Sequence, residues 1–275
     1  MQDNYLSLPA LVKLIASGST LAIPKDESGV ALAATRALLR LGIKDLHLLC
    51  VPTSGIQADL LIGAGRVATL ESGAVTFGEL GAAPRFVAAV KQGLLNLKDS
   101  TCPAIYAALQ ASEKGIPFMP LRGVIGSDLI EHRSDWKLLD NPFTDHEDPL
   151  VLLPAIQPDV ALFHARLGDA FGNVWVGNRR ECILLAHAAK TSLVTVEERV
   201  SYNLMEDDRL LAGVIPPLYI KGLAHVPNGA WPLGMNGYYE SDLLHLKEYA
   251  AAAMSDEGFA AYFEQYIMNE TLENY

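Results

Sequence analysis

Three continuous apolar runs constrain the fold of this chain more than any other feature. They are LHLLCV at residues 46–51, VALFHA at 160–165 and SLVTV at 192–196. Strands that are apolar at nearly every position are typical of parallel sheets covered by helices on both faces. Helical patterns lie between the runs, and right-handed β-α-β crossovers produce an open sheet. We therefore predict an α/β fold with an open, mostly parallel, doubly wound sheet.

The remaining periodicity predicts the helices and shorter strands around these runs. Predicted helices cover residues 8–17, 29–42, 57–64, 84–92, 103–114 and 181–190, and predicted further strands cover 20–23, 67–70, 95–97 and 174–176. Thr101 is expected to cap the helix at 103–114, and Gly115 is expected to end it. No Pro-, Ser- or Gly-rich linker divides the chain, which favours one domain over residues 1–275, with a C-terminal helical segment at about 241–270.

Composition excludes several classes of partner. The formal net charge is −11 and no Lys/Arg run is present, so a nucleic-acid partner would be repelled. No apolar run approaches about 18 residues and the N-terminus lacks a basic region, so we expect neither a membrane span nor secretion. Cys50, Cys102 and Cys182 are odd in number and widely spaced, which argues against a disulfide framework and a zinc site. The predicted location is the cytoplasm, with no metal bound.

Polar residues end several of the apolar runs, and this is where α/β proteins build their sites. Two segments stand out, KGIPFMPLRGVIGSDLIE at 114–131 and IQPDVALFHARLGDAFGNVWVGN at 156–178. Their candidate residues are Arg122, Asp128, His164, Arg166, Asp169 and Asn173. Function is therefore expected at the ends of strands rather than within helices.

Five segments together resemble the A subunits of family I coenzyme A transferases, glutaconate CoA-transferase in particular. They are DLLIGAGRV at 59–67, GIPFMPLRGVIGSDL at 115–129, QPDVALFHARLGDAFGNV at 157–174, KTSLVTVEERV at 190–200 and HVPNGAWPLGMNGYY at 225–239. The resemblance implies a transferase-type α/β fold and a partner B subunit, usually in an α2β2 assembly. It implies acyl-CoA and a carboxylic acid as substrates, with no permanently bound cofactor. A glutamate, normally on the B subunit, carries CoA as a covalent thioester in that family.

No catalytic residue is therefore expected on this chain, although three glutamates require testing. Glu27, Glu71 and Glu79 each stand in a Glu-x-Gly string, which is the loose pattern of the family's nucleophile. A solvated carboxylate in a turn is the simpler interpretation of each. Glu79 is the first to test, because the resemblance places its segment in the substrate cleft.

Two loops after strands are expected to contact the substrate or CoA. Ser54 and Gly55 lie in the turn that follows the run at 46–51. In the loop AIPKDESG at 22–29, only Gly29 remains where the family has a glycine-rich loop. Lys25 could contact a CoA phosphate there, but a solvated lysine is the simpler interpretation. Whether this altered loop still binds CoA stays open at this point.

Arg122 and Gly123 are a further predicted substrate contact. An arginine in a turn can bind a carboxylate through two parallel hydrogen bonds. The alternative is an ion pair within the chain, with Asp128 or Glu131 as the expected partner. The resemblance places this segment in a wall of the cleft, so Arg122 is its best candidate contact.

Other functions remain open from the sequence. A ring-opening hydrolase that acts on a CoA thioester shares the resemblance, and there the A subunit supplies an acidic residue near the start of the helix at 103–114. Asp99 is the nearest carboxylate to that point, and Cys102 lies beside it. A non-catalytic binding subunit of the same fold is also possible. A sugar-phosphate isomerase has no support beyond the α/β alternation.

His164, Glu197 and Glu198 allow either chemistry or structure. A histidine inside an apolar strand is more often a hydrogen-bonded core residue than a base. Paired carboxylates at the end of a strand can serve acid–base catalysis. With Arg199 adjacent, an ion pair is an equal alternative for Glu197 and Glu198.

Overall fold

A computed structural model describes residues 5–269. Its strands are β1 Thr20–Pro24, β2 Leu46–Val51, β3 Val67–Ser72, β4 Asn96–Asp99, β5 Phe118–Leu121, β6 Lys137–Asp140, β7 Pro149–Pro154, β8 Val160–Asp169, β9 Val174–Trp175, β10 Ser192–Val200, β11 Val214–Ile215 and β12 Ile220–His225. Its α-helices are α1 Leu8–Val12, α2 Leu32–Leu41, α3 Ile56–Gly63, α4 Pro84–Lys91, α5 Cys102–Glu113, α6 Leu129–His132, α7 Arg180–Ala188, α8 Leu243–Ala252 and α9 Asp256–Phe263. Within this part of the chain, no helix is both long and apolar enough to cross a membrane.

The main sheet is doubly wound and mostly parallel, as predicted. Its parallel strands follow the order β12, β10, β8, β1, β2, β3, β4, with β9 and β11 antiparallel at the end of β8. From β1 the chain moves outward through β2, β3 and β4, then returns to β8 and moves outward on the other side. The order therefore reverses between β1 and β8, and α/β sheets place ligands beyond the carboxyl ends of the strands at such a point.

Helices cover both faces of this sheet, which explains the continuous apolar runs. In β2, Leu48 and Cys50 enter the core on the side of α2, α3 and α8, whereas Leu49 and Val51 enter the core on the side of α5 and α7. Successive side chains of a strand point to opposite faces, so a strand with two buried faces requires apolar residues at every position.

Some predicted elements differ from the structure. The run at 174–176 is the return strand β9 of a hairpin with β8, because Gly172 at φ +90° allows a tight turn, so it is not part of a parallel crossover. The helix predicted at 8–17 ends at Val12. The segment predicted as helical at 241–270 contains α8, α9 and a π-helix at Glu264–Met268, with α9 capped by Ser255; residue 270 lies outside the described residues. The cap at Thr101 is confirmed, since its hydroxyl accepts from the Ala104 N–H at 3.3 Å.

A second, antiparallel sheet of β5, β7 and β6 was not predicted. It packs on α5 through a small core that includes Trp136, Val151 and Leu153. The sheet lies beside the outer edge of the main sheet, where α6 contacts β4. The segment 114–131, which contains one of the five segments that together resemble the family, contributes β5 to this smaller sheet.

Candidate functional site

A pocket of about 690 Å³ lies beyond the carboxyl ends of β1, β2 and β3. The loops after these strands contribute Lys25, Ser54 and Glu79 to its wall. The opposite wall comes from the loop after β12 and from α8. Apolar side chains line much of the interior, namely Ile56, Phe77, Leu80, Leu233, Leu246 and Tyr249. A concave, largely apolar site with a few polar groups is typical of a small-molecule pocket.

Asp26 lies in this pocket with its carboxylate at the first turn of α3. It accepts hydrogen bonds from the backbone N–H groups of Gly55 at 3.0 Å and Ile56 at 3.3 Å. Burial raises the pKa of Asp26 to about 6, although these two hydrogen bonds act in the opposite direction. The first N–H groups of a helix have no partner within the helix, so the carboxylate satisfies donors that α3 leaves open. Asp26 can therefore exchange a proton near neutral pH.

Of the two residues expected to contact the substrate, Ser54 lines this pocket, whereas Gly55 lies beside it at the start of α3. Ser54 is 3% exposed, and its Oγ has no hydrogen-bond partner among the described residues. Gly55 makes a close approach possible, since a Cβ on it would lie 2.1 Å from Asp26 Oδ2. A buried hydroxyl without a partner costs free energy. The Ser54 hydroxyl is enclosed and lies near the Cys50 thiol, so Ser54 shapes the wall of the pocket.

The candidate carboxylates differ in their surroundings. Glu27 and Glu79 line the pocket and are exposed, with Glu27 Oε2 lying 3.8 Å from Lys25 Nζ. Glu71 is 2% exposed and its Oε1 accepts from Arg133 Nη2 at 2.7 Å, so it is held in a buried ion pair. Asp99, at the end of the edge strand β4, is exposed and is not part of the pocket wall.

Arg122 and Gly123 lie outside the pocket wall, next to the three-stranded sheet. Arg122 binds the carboxylate of Asp148 through two hydrogen bonds, from Nε at 2.9 Å and from Nη2 at 2.6 Å. The alternative ion pair was therefore predicted with the wrong partner, because Asp148 replaces Asp128 and Glu131. The structure does not bring Arg122 together with the pocket residues.

His164 is a buried, fully hydrogen-bonded residue, as its place within a strand suggested. Its Nδ1 lies 2.7 Å from Thr195 Oγ1 and its Nε2 lies 2.9 Å from Glu197 Oε2. Burial alone would raise the pKa of Glu197, but hydrogen bonds from His164, the Asn228 N–H and Tyr239 lower it. The carboxylate thereby holds the loop after β12, which forms one wall of the pocket.

Glu198 and Arg199 contact other residues. Glu198 is exposed and accepts from the Tyr238 hydroxyl at 3.0 Å. The Arg199 guanidinium lies 4.3 Å from the centre of the Tyr5 ring. Neighbouring residues of a strand face opposite sides, so Glu197 and Glu198 do not act as a pair.

A second, smaller crevice lies between the ends of β1 and β8. Glu27, His164, Arg166, Arg179 and Met235 are among the residues that line it. Sequence reasoning singled out His164 and Arg166 but missed Arg179, Asp26 and Tyr239. Asp26 lies in the loop at 22–29 and Tyr239 ends the segment at 225–239, but neither was singled out as a residue; Arg179 lies outside the quoted segments.

An open, doubly wound sheet with a pocket beyond the ends of its central strands defines an α/β protein that binds a small molecule. No protein-family model matches the chain. It is 32% identical over 268 residues to the A subunit of 3-oxoadipate CoA-transferase from Pseudomonas knackmussii, covering 94% of this chain and 91% of the relative. It therefore belongs to the family of CoA-transferase A subunits, and the predicted family is confirmed.

Two further relatives bear on the function. The A subunit of glutaconate CoA-transferase from Acidaminococcus fermentans is 30% identical over 254 residues, covering 86% of this chain and 78% of the relative. A crystal structure of that transferase superposes with a TM-score of 0.88 at 28% identity, covering 98% of this chain and 90% of the other. The cholesterol ring-cleaving hydrolase IpdA subunit of Rhodococcus jostii is 27% identical over 278 residues, covering 97% of this chain and 92% of the relative.

Proposed function

We propose that this chain forms the acyl-binding half of a CoA-transferase whose nucleophilic glutamate lies on a partner B subunit. The observation that carries the proposal is a pocket whose own carboxylates are poorly placed for nucleophilic attack. Asp26 accepts two backbone hydrogen bonds, while Glu27 and Glu79 are exposed at the wall. Covalent catalysis needs an activated nucleophile held against the substrate. A second subunit that closes over the pocket would provide it.

We further propose that the substrate is a short dicarboxylic acid or its CoA thioester. The two transferase relatives carry the names of 3-oxoadipate and glutaconate, and both of these are dicarboxylic acids. A pocket of about 690 Å³ has room for such an acyl group and part of the CoA arm. CoA enters as a substrate, with no permanently bound cofactor. The assembly is proposed to be α2β2, and the three free cysteines support a cytoplasmic location.

The partner requirement gives the first test. The chain is co-expressed with the reading frame next to its own, and CoA exchange between glutaryl-CoA and acetate is followed by chromatography. We expect exchange from the complex and none from the isolated chain. Glu27→Ala and Glu79→Ala should retain activity within about tenfold, because neither is the proposed nucleophile. Glu71→Ala is expected to lower stability through the loss of its ion pair.

Three outcomes would overturn this assignment. Full activity of the isolated chain would exclude a nucleophile on a partner. Complete loss of exchange in folded Glu27→Ala, Glu79→Ala or Glu71→Ala would place the nucleophile on this chain. A complex that assembles and binds acyl-CoA without any turnover would indicate the non-catalytic binding subunit instead.

A hydrolase is the second candidate function, and Asp26 is the observation that favours it. A carboxyl group with a pKa of about 6 can donate or accept a proton near neutral pH, which hydrolysis requires and CoA transfer through a glutamate does not. The hydrolase relative shows that this subunit type occurs with that activity. We place transfer first because both relatives that are at least 30% identical and carry a function in their names are transferases.

Asp26→Asn separates the two functions. For a transferase, we expect the variant complex to retain exchange within about tenfold, because no proton transfer passes through residue 26. For a hydrolase, hydrolysis without an acceptor acid should fall by at least about 100-fold in the variant. The measurement is turnover of acyl-CoA with and without an acceptor acid between pH 5 and 8. Glu240→Gln, at another part of the same wall, is the matched control.

A further inference from the structure

Two arginines line the crevice between β1 and β8. Arg166 lies on β8 and Arg179 immediately precedes α7, and both are partly buried. Within residues 5–269, neither guanidinium forms a hydrogen bond or an ion pair with another side chain. Both line the same crevice, and Arg179 also lines the large pocket. Arg179 therefore connects the crevice, where Arg166 also lies, to the proposed substrate site.

Packing holds Arg166 in place while leaving its hydrogen-bond donors available. Its guanidinium carbon lies 5.3 Å from the centre of the Trp175 ring. Gly177 lies against the same group, since a Cβ on this glycine would be 3.5 Å from Arg166 Nη1. A guanidinium stacked on an aromatic ring keeps the N–H groups at its edge free to bind a planar anion.

The carboxylates near the crevice form hydrogen bonds or contacts with groups other than the two arginines: Glu181 accepts from the Ser28 hydroxyl, and Glu198 accepts from the Tyr238 hydroxyl at 3.0 Å. Glu27 lines the crevice, but 71% of that side chain is exposed and its carboxylate lies 3.8 Å from Lys25 Nζ. His164 directs both ring nitrogens to Thr195 and Glu197. Val176 and Met235 complete the wall with apolar surface. Partly buried cations without a direct ion pair are unfavourable, so the two guanidinium groups are suited to bind an anion from outside the chain.

We propose that Arg166 and Arg179 together bind a carboxylate group of the acid substrate. The inference rests on the proposed function and names the site that recognises its substrate. The carboxylate is either the reacting carboxylate of the acceptor acid or the free carboxylate at the far end of a dicarboxylic acyl chain. Arginine binds either through parallel N–H···O bonds, whose geometry lysine does not reproduce.

The test uses the complex with the B subunit and two acceptor acids, glutarate and butyrate. Arg166→Gln and Arg179→Gln should each raise the KM for glutarate by about 10- to 100-fold, because a hydrogen bond between charged groups is lost. If the variants leave the KM for butyrate unchanged, the arginines bind the far carboxylate of the dicarboxylic acid. If the KM for butyrate rises as much as the KM for glutarate, they bind the reacting carboxylate. Arg179→Lys should recover only part of the loss. Arg180→Gln, its exposed neighbour, and Arg122→Gln are the controls and should match the wild-type protein.

Other outcomes would overturn the proposal. Unchanged KM values for both acids in both variants would exclude a carboxylate site. Failure of either variant to form the complex, judged by size-exclusion chromatography, would show that the arginines pair with the partner instead. Calorimetric titration of glutarate into the same complexes separates this proposal from the function. If the wild-type complex binds glutarate without exchanging CoA, and Arg166→Gln does not bind it, the carboxylate site stands and the transferase assignment fails.

Discussion

Arg133→Met should lower the free energy of unfolding by about 3–5 kcal/mol, because it removes the arginine from a buried carboxylate, Glu71, and leaves it only His47 at 3.2 Å. Arg133 is 4% exposed and Glu71 is 2% exposed. The arginine donates to Glu71 Oε1 at 2.7 Å and to both carboxylate oxygens of Asp135 at 2.9 and 3.0 Å. It also donates to the Asp99 carbonyl oxygen at 3.0 Å and lies 4.4 Å from the centre of the Trp136 ring. One side chain thus joins β3, β4 and the start of the smaller sheet.

Urea unfolding followed by circular dichroism measures this effect, and two variants sharpen it. Arg122→Met removes an exposed arginine that also binds an aspartate through two hydrogen bonds, and we expect no measurable loss of stability. The double variant Glu71→Met/Arg133→Met should be more stable than Arg133→Met alone, since no unpaired charge remains buried. If Arg133→Met lowers the free energy of unfolding no more than Arg122→Met does, the buried ion pair does not stabilise the fold.

This ion pair also changes how Glu71 should be interpreted. Burial by itself would raise the pKa of Glu71, but His47, Arg133 and Lys98 together lower it. The carboxylate is therefore ionised yet occupied by its partners. A nucleophile must be free to reach the thioester, so Glu71 fits a structural role even though its Glu-x-Gly string resembles the family's nucleophile.

The main sheet could be predicted from the sequence because its physical cause is visible there. A strand buried on both faces has no polar alternation, as in β2 and β8, and the helices between such strands follow from their own periodicity. The smaller sheet could not be predicted in this way. All four residues of β6 are exposed. The burial of β5 alternates, but its four residues are all apolar and include Pro120, so its sequence does not show the alternation that marks a half-buried strand.

The site was predicted only in outline. The loops after the strands were visible because the strands end at Gly, Pro and polar residues, and Ser54 and Gly55 were located in this way. The hydrogen-bond partners of the loop residues could not be predicted. Asp26 meets Gly55 29 residues later, and Arg122 meets Asp148 26 residues later. Such distant contacts depend on how the loops pack, which the residue pattern of one sequence does not specify.

The burial of Asp59 predicts that the free energy of unfolding depends on pH. Asp59 is fully buried in α3, where it accepts from the Tyr249 hydroxyl and the Phe86 N–H, both at 2.8 Å. Burial raises its pKa from 3.8 to about 6, although these hydrogen bonds and the nearby Arg85 oppose the shift. The folded state therefore holds a proton that the unfolded state releases between about pH 4 and pH 6.

The direction of this pH dependence follows from the raised pKa of Asp59. The stabilisation from the bound proton is fully present below pH 3.8, falls as the pH rises, and is lost above about pH 6. The rise in the pKa of Asp59 from 3.8 to about 6 corresponds to roughly 3 kcal/mol in the free energy of unfolding. Asp59→Asn carries no charge and can keep a hydrogen bond to each neighbour. We expect it to be more stable than the wild-type protein at pH 7, by up to about 3 kcal/mol, with the difference shrinking towards pH 4.

Urea unfolding of both proteins at intervals from pH 4 to pH 8 tests this expectation. The other titrating groups contribute equally to both proteins, so the difference between the two curves isolates Asp59. Asp128→Asn is the matched control, because Asp128 is exposed and its side chain caps no helix; its curve should follow that of the wild-type protein. A difference that grows as the pH falls would mean that Asp59 is held as a carboxylate, stabilised by Tyr249 and Phe86 more than it is destabilised by burial.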